Sequence, residues 1–305
     1  MSGLGRRFYD NTLMYEVTMR TIDGVLRFDP TSPEQVEQIL GAFAVAQRET
    51  KVRIHAFHFL GNHYHGLYSA PDPDAMARFL CLLHAELARI ANEFARRRGP
   101  IWSYRAHVLP VVLDEVAQLR RIAYVMGQAV NAGFVAHPAD FTGASSLPWQ
   151  LAGVDMTGVD IDRTQRALDG RRKVGAHDLQ HYATTLPLEL TPVPALADRP
   201  LDQVHALYRG LADEIAVAYR AGFDKRCAAV QSMTPPEVAN WLWVNDAVDD
   251  PPLEEDEPSA ELPPQPGAND VGPPNSAREA PPTRSAPQRA VRKPRRNRAK
   301  AVHAR

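Results

Sequence analysis

Residues 52–70 read VRIHAFHFLGNHYHGLYSA, and the pattern of this stretch decides the fold. Two runs rich in β-branched and aromatic side chains, Val52 to Leu60 and His63 to Ala70, are separated only by the corner Gly61-Asn62. Two such strands joined by so short a link form an antiparallel hairpin. Segments of helical period flank it. Upstream, Asp29-Pro30 and Ser32-Pro33 supply a turn and a helix start, so a helix is expected from Pro33 to about Glu49. Downstream, Met76, Phe79, Leu80, Leu83, Leu87, Ile90 and Phe94 recur at three- and four-residue intervals. A second helix is therefore expected from Asp74 to Arg98, closed by Gly99-Pro100.

Further out, Thr12 to Thr21 (TLMYEVTMRT) and about Tyr104 to Leu113 read as strands. A long helix is expected from Asp114 to about Ala132, with Asp114 and Glu115 in its first turn and Gly133 beyond its end. The order strand, helix, strand, strand, helix, strand is the split βαβ or ferredoxin-like plan. It defines an α/β (α+β) domain over residues 1–150, an antiparallel sheet with helices packed on one face. Residues 151–248 are expected to form a mostly helical accessory region, irregular with short helices over 158–190 and amphipathic from Leu201 to Phe223.

Composition changes near Asp249. Residues 251–305 hold 12 of the 26 prolines and almost no large apolar side chains, so residues 249–305 are expected to be a disordered Pro-rich tail. Its charges are segregated, with −6 over residues 251–277 and +9 over residues 278–305. The whole chain of 305 residues carries −1, which leaves −4 for residues 1–250. Near neutrality therefore excludes a uniformly basic protein and leaves room for a polyanion partner, with residues 289–300 (RAVRKPRRNRAK) as a sequence-independent phosphate binder. No apolar run reaches eighteen residues, and Arg6 and Arg7 precede no apolar core, so a cytoplasmic protein without a membrane partner is expected. Cys81 and Cys227 match no paired spacing and are read as small buried residues.

Two constellations bear on chemistry. His63 and His65 alternate on one strand, so they project to the same side about 7 Å apart, within reach of one divalent ion. A pair of half-buried structural histidines explains the spacing equally well, since chance alone gives about 0.4 such pairs at this histidine content. Tyr124 and Gln128, four apart on a helix, share a face and can point a phenol and an amide into one site, although a helical Tyr is more commonly a packing residue. In the neighbouring strand His55 and His58, three apart, face opposite ways, so that one of them can approach the pair. His177 and His181 lack the Glu of a metalloprotease helix and are read as surface or structural residues.

Taken in order, Tyr15-Glu16-Val17-Thr18-Met19-Arg20, Ile54-His55-Ala56, Asn62-His63-Tyr64-His65, Trp102 to Arg105, Tyr124 to Val135, and Pro138-Ala139-Asp140 through Ser145-Ser146 resemble the single-tyrosine transposases of the HUH endonuclease superfamily. Within it they look most like the REP-associated tyrosine transposases. The likeness covers roughly residues 9–150. Its departures are Leu60-Gly61 where Met-Pro is usual, Tyr64 between the histidines, and Gln128-Ala129-Val130 where many relatives read Asn-Pro-Val.

The resemblance implies a DNA endonuclease and strand transferase acting on single-stranded hairpin DNA through a 5′-phosphotyrosine intermediate. It implies Mg²⁺ or Mn²⁺ as cofactor, held by His63, His65 and Gln128, with Tyr124 as the nucleophile. It also implies a homodimer. Arg105, Trp102, Arg20 and Arg97 are the DNA-binding candidates; core packing is the competing role for Trp102, and helix termination for the run Arg96 to Arg98. The rival expectation is a catalytically retired protein of the same fold that binds hairpin DNA without cleaving it.

Overall fold

The computed structural model describes residues 12–103, 106–111, 114–172 and 178–231, apart from the side chains of residues 172 and 221–231. Arg6, Arg7, Arg105, His177 and the tail beyond residue 231 lie outside the described residues.

Strands β1 (Met14–Arg20), β2 (Arg53–Phe59), β3 (His63–Ser69) and β4 (His107–Val111) form one antiparallel sheet in the order β2-β3-β1-β4. This is the split βαβ arrangement, in which β3 lies between β1 and β2. Helices α1 (Pro33–Thr50) and α2 (Pro73–Phe94) start where the sequence places capping residues. Ser32 and Asp72 accept from the backbone N–H groups of Gln35 and Ala75, and Pro33 and Pro73 follow them. Helix α2 ends at Phe94, four residues before the expected Arg98, because Arg96 takes a left-handed φ of 47°. The apolar stripe of α2 faces the sheet, and Cys81 lies off that stripe: expected to be buried, it is exposed.

Helices α1 and α2 pack on one face of the sheet, where Phe43 stacks on Phe57 and Phe79 meets Tyr68. Helix α3 (Glu115–Met126), capped by Asp114, packs against β2, β3 and β4 from the opposite face. Both faces of the central strands are thus covered, and all seven residues of β3 are buried. The expected single long helix divides at Gly127 into α3 and a short α4 (Gln128–Asn131).

The free edge of β2 is closed by later segments. Phe59 N–H donates to the Ala144 carbonyl, Ser146 N–H to that of Phe57, and Thr191 N–H to that of Ile54. Beyond α5 (Leu147–Ala152), the stretch expected to be irregular contains a hairpin of β5 (Met156–Ile161) and β6 (Ala183–Leu188) flanking α6 (Arg163–Arg172). The hairpin lies so close to α1 that a Cβ at Gly41 would sit 2.1 Å from the Val159 carbonyl oxygen. Helix α7 (Leu201–Gln231) lays Val204, Tyr208, Ala212 and Ile215 into the core and contacts α3, α4 and α5. No described helix is long and apolar enough to cross a membrane.

Candidate active site

The alternation of β3 places His63 and His65 on the α3 face and Tyr64 on the α1–α2 face. The two imidazoles meet edge to face with ring centroids 5.2 Å apart. Tyr124 of α3 reaches the same place: its ring is 5.2 Å from that of His65, at 88° to it. Gln128, one position past the break at Gly127, is buried, hydrogen-bonds His63, and donates from Nε2 to the Tyr124 carbonyl at 3.2 Å. The four residues are therefore gathered from one strand and the α3–α4 junction.

His63 and His65 are 2% and 1% exposed. Burial, reinforced by the nearby His65 and Arg20, pushes the His63 imidazole well below its usual range and so favours the neutral, lone-pair-bearing form. Its Nδ1 lies 2.6 Å from Asn62 Oδ1. His65 Nδ1 lies 3.0 Å from Thr18 Oγ1, while its Nε2 is buried with no hydrogen-bond partner. Among the described residues no three His, Cys, Asp or Glu side chains are grouped to hold an ion. Two imidazoles and one amide nevertheless suit a divalent cation, and the orphaned Nε2 is a nitrogen in need of a partner.

The remaining expectations fall in different places. Arg20, half-buried, lies opposite His63 in the β1–β3 register and acts on it electrostatically. Trp102 is part-buried on the other side of the sheet; its Nε1–H donates to the His84 carbonyl at 2.8 Å and its ring stacks on Phe28 at 5.6 Å. Arg97 lines a separate open cleft of about 550 Å³ with Arg89, Arg98, Arg163 and Arg166, three of which are near the carboxylates of Glu86 and Glu93. Of the two β2 histidines, His58 stands directly across from His65. It is fully buried, stacked on Phe141 at 4.3 Å, with neither ring nitrogen hydrogen-bonded, and burial pushes its pKa down to about 3. The bulge between Ile54 and Ala56 brings His55 to Ser69 Oγ, on the same side of the sheet as His65, and to the Thr191 and Pro192 carbonyls, so His55 and His58 do not face opposite ways as expected. His181 meets the ring of Tyr182.

Two residues not singled out from the sequence also converge here, Glu16 of β1 and Arg121 of α3. The available signal was a single acid among the mostly apolar residues Met14 to Met19 of β1.

No protein-family model and no curated protein matches this chain. Among solved structures it is similar to a REP-associated tyrosine transposase bound to a REP hairpin, at 19% identity, covering 50% of this chain and 86% of that one, with a TM-score of 0.39. It is also similar to a candidate transposase from Deinococcus radiodurans R1, at 16% identity, covering 41% of this chain and 97% of that one, with a TM-score of 0.28.

Proposed function

We propose that this protein is a DNA transposase that cleaves and rejoins single-stranded, hairpin-bearing DNA, with Tyr124 as nucleophile and His63, His65 and Gln128 as ligands of Mg²⁺ or Mn²⁺. The observation that carries this is the meeting of the Tyr124 ring with the buried His65 ring, whose Nε2 lacks a partner. A phenol beside two imidazoles and an amide is a poor combination for core packing and a good one for phosphoryl transfer.

A phosphodiester resists attack because its anionic oxygens repel nucleophiles and its leaving alkoxide is poor. A divalent cation bound by these ligands would polarise a phosphoryl oxygen and stabilise the charge that develops there. Neutral ligands leave its double charge uncancelled. Tyr124 supplies the attacking oxygen, losing a proton from a phenol whose ordinary pKa is about 10. As the Oη–phosphorus bond forms, the bond from phosphorus to the 3′ oxygen breaks and that oxygen takes up a proton. The products are a 5′-phosphotyrosine and a free 3′-hydroxyl. Attack of a 3′-hydroxyl on the phosphotyrosine reverses the step and joins a new strand, so no nucleotide cofactor is needed. Arg20, which lies opposite His63 in the β1–β3 register, is proposed to hold a neighbouring phosphate, and Arg97 and Arg105 are proposed as further DNA contacts; Trp102 packs against Phe28. The active form is proposed to be a homodimer, which light scattering of the full chain tests.

The deciding experiment incubates the full chain with a bank of single-stranded hairpin oligonucleotides and Mg²⁺ or Mn²⁺, then separates products under denaturing conditions. A covalent protein–DNA adduct is the expected result. Hairpin binding with no adduct under any condition would identify a retired binder instead.

A further inference from the structure

Glu16 is a carboxylate at the middle of β1, only 4% exposed. A buried carboxylate is costly unless it is paired, and this one has partners on two different elements. Its Oε1 lies 3.4 Å from Nδ1 of His65, and its Oε2 lies 3.3 Å from Nη1 of Arg121. On the far side of the same imidazole, Nε2 is buried and has no hydrogen-bond partner. Thr18 Oγ1 shares the Nδ1 side at 3.0 Å.

The two neighbours of Nδ1 differ in what they can enforce. A hydroxyl donates or accepts, so Thr18 is compatible with either tautomer of His65; a carboxylate only accepts, and so requires a proton on Nδ1. A proton on Nδ1 leaves the lone pair on Nε2, the nitrogen without a partner. We infer that Glu16 is a positioning residue of the active site: it accepts from His65 Nδ1–H, fixes the ring and its tautomer, and so presents Nε2 to the divalent cation. Resting on the function proposed above, this names the residue that prepares its metal-binding strand. Arg121 faces the second oxygen of Glu16 as an ion pair at 3.3 Å, an oxygen that makes no hydrogen bond.

The test uses the full-length protein and Mn²⁺ alone as probe, with free Mn²⁺ followed by electron paramagnetic resonance. His65→Ala defines how much of the binding belongs to this site. Glu16→Gln is expected to raise the Kd of that component about 10- to 100-fold, the range found for residues that orient a ligand, and Thr18→Val to change it by less than about threefold. Unchanged Mn²⁺ affinity in a folded Glu16→Gln protein would overturn the role of Glu16 while leaving the cation site standing. Absence of Mn²⁺ binding by the wild-type chain would remove both. Should Glu16→Gln fail to fold, the metal-free wild type still decides: ¹⁵N NMR of the His65 ring is expected to show the proton on Nδ1, and a proton on Nε2 would overturn the inference.

Discussion

Tyr124 and His65 meet edge to face at a centroid distance of 5.2 Å, although one lies on a helix and the other on the strand beneath it. Because the phenol is only part-buried and its ring contact does not need the hydroxyl, removing that hydroxyl should leave the packing intact. Tyr124→Phe is therefore expected to abolish the covalent adduct while changing stability by no more than about 1 kcal/mol and leaving hairpin affinity within about twofold of wild type. Adduct formation and thermal melting check this together; an adduct that persists in Tyr124→Phe sinks the nucleophile assignment.

The two histidines and the glutamine should separate in degree. His63→Ala and His65→Ala each remove an imidazole, whereas Gln128→Ala removes one neutral oxygen that a water can replace. Cleavage is expected to fall by about 10²-fold or more in the histidine variants and by roughly tenfold in Gln128→Ala, with hairpin binding largely kept in all three. Single-turnover cleavage rates over a Mn²⁺ titration supply the measurement.

Acid should destabilise this fold through histidines remote from the site. Burial holds the His55 ring at a pKa of about 4 and that of His84 at about 4. In the unfolded chain each takes up its proton near pH 6.5, so between these limits the unfolded state binds more protons and stability falls as pH falls. The loss begins below about pH 6.5, amounts to at most about 1.4 kcal/mol per pH unit for each ring, and is complete below about pH 4. Melting temperature followed from pH 7 to pH 4.5 should drop, and the slope should flatten in His55→Gln; a pH-independent melting temperature would contradict this role of burial.

Glycines at two places should respond in opposite directions to the same change. A Cβ at Gly41 would sit 2.1 Å from the backbone oxygen of Val159, which cannot move without dislodging the β5–β6 hairpin, whereas nothing lies within 4 Å of a Cβ at Gly210 in α7. Gly41→Ala is expected to cost about 2 kcal/mol or more, and Gly210→Ala to stabilise by about 0.5 to 1 kcal/mol through helix propensity. Chemical denaturation of the two variants against wild type decides.

The terminal charges give a prediction about salt. Residues 278–305 carry +9, so a chain cut after Asp250 should show a shallower dependence of nonspecific single-stranded DNA affinity on salt, with the slope reduced by about 0.7 for each phosphate that the tail neutralises in the full chain. An unchanged slope would remove the tail from DNA binding.

Much of the domain was legible locally. The corner Gly61-Asn62, the caps Ser32, Asp72 and Asp114, and the apolar spacing of α2 each act within a few residues, and the strands and helices they imply lie within a few residues of their expected bounds. The same holds for His63 and His65, whose common side follows from a period of two. The departures lie at the helix ends and in the later segments. Arg96 leaves α2 early through a left-handed turn, and the expected long helix breaks at Gly127, which packs against Ile215 of α7. The β5–β6 hairpin was illegible because α1 stabilises it from outside, at Gly41.

By itself, then, the sequence determined the strand and helix order, the alternation that pairs His63 with His65, and the helical spacing that pairs Tyr124 with Gln128. Only the tertiary structure decided that α3 crosses the sheet on the histidine face, that His58 stands opposite His65 while a bulge brings His55 to Ser69, and that Glu16, forty-nine residues before His65, lies against its ring. The physical reason is range: periodicity and capping are set by neighbours along the chain, whereas the partner of a buried carboxylate is set by strand register and by which face a helix covers.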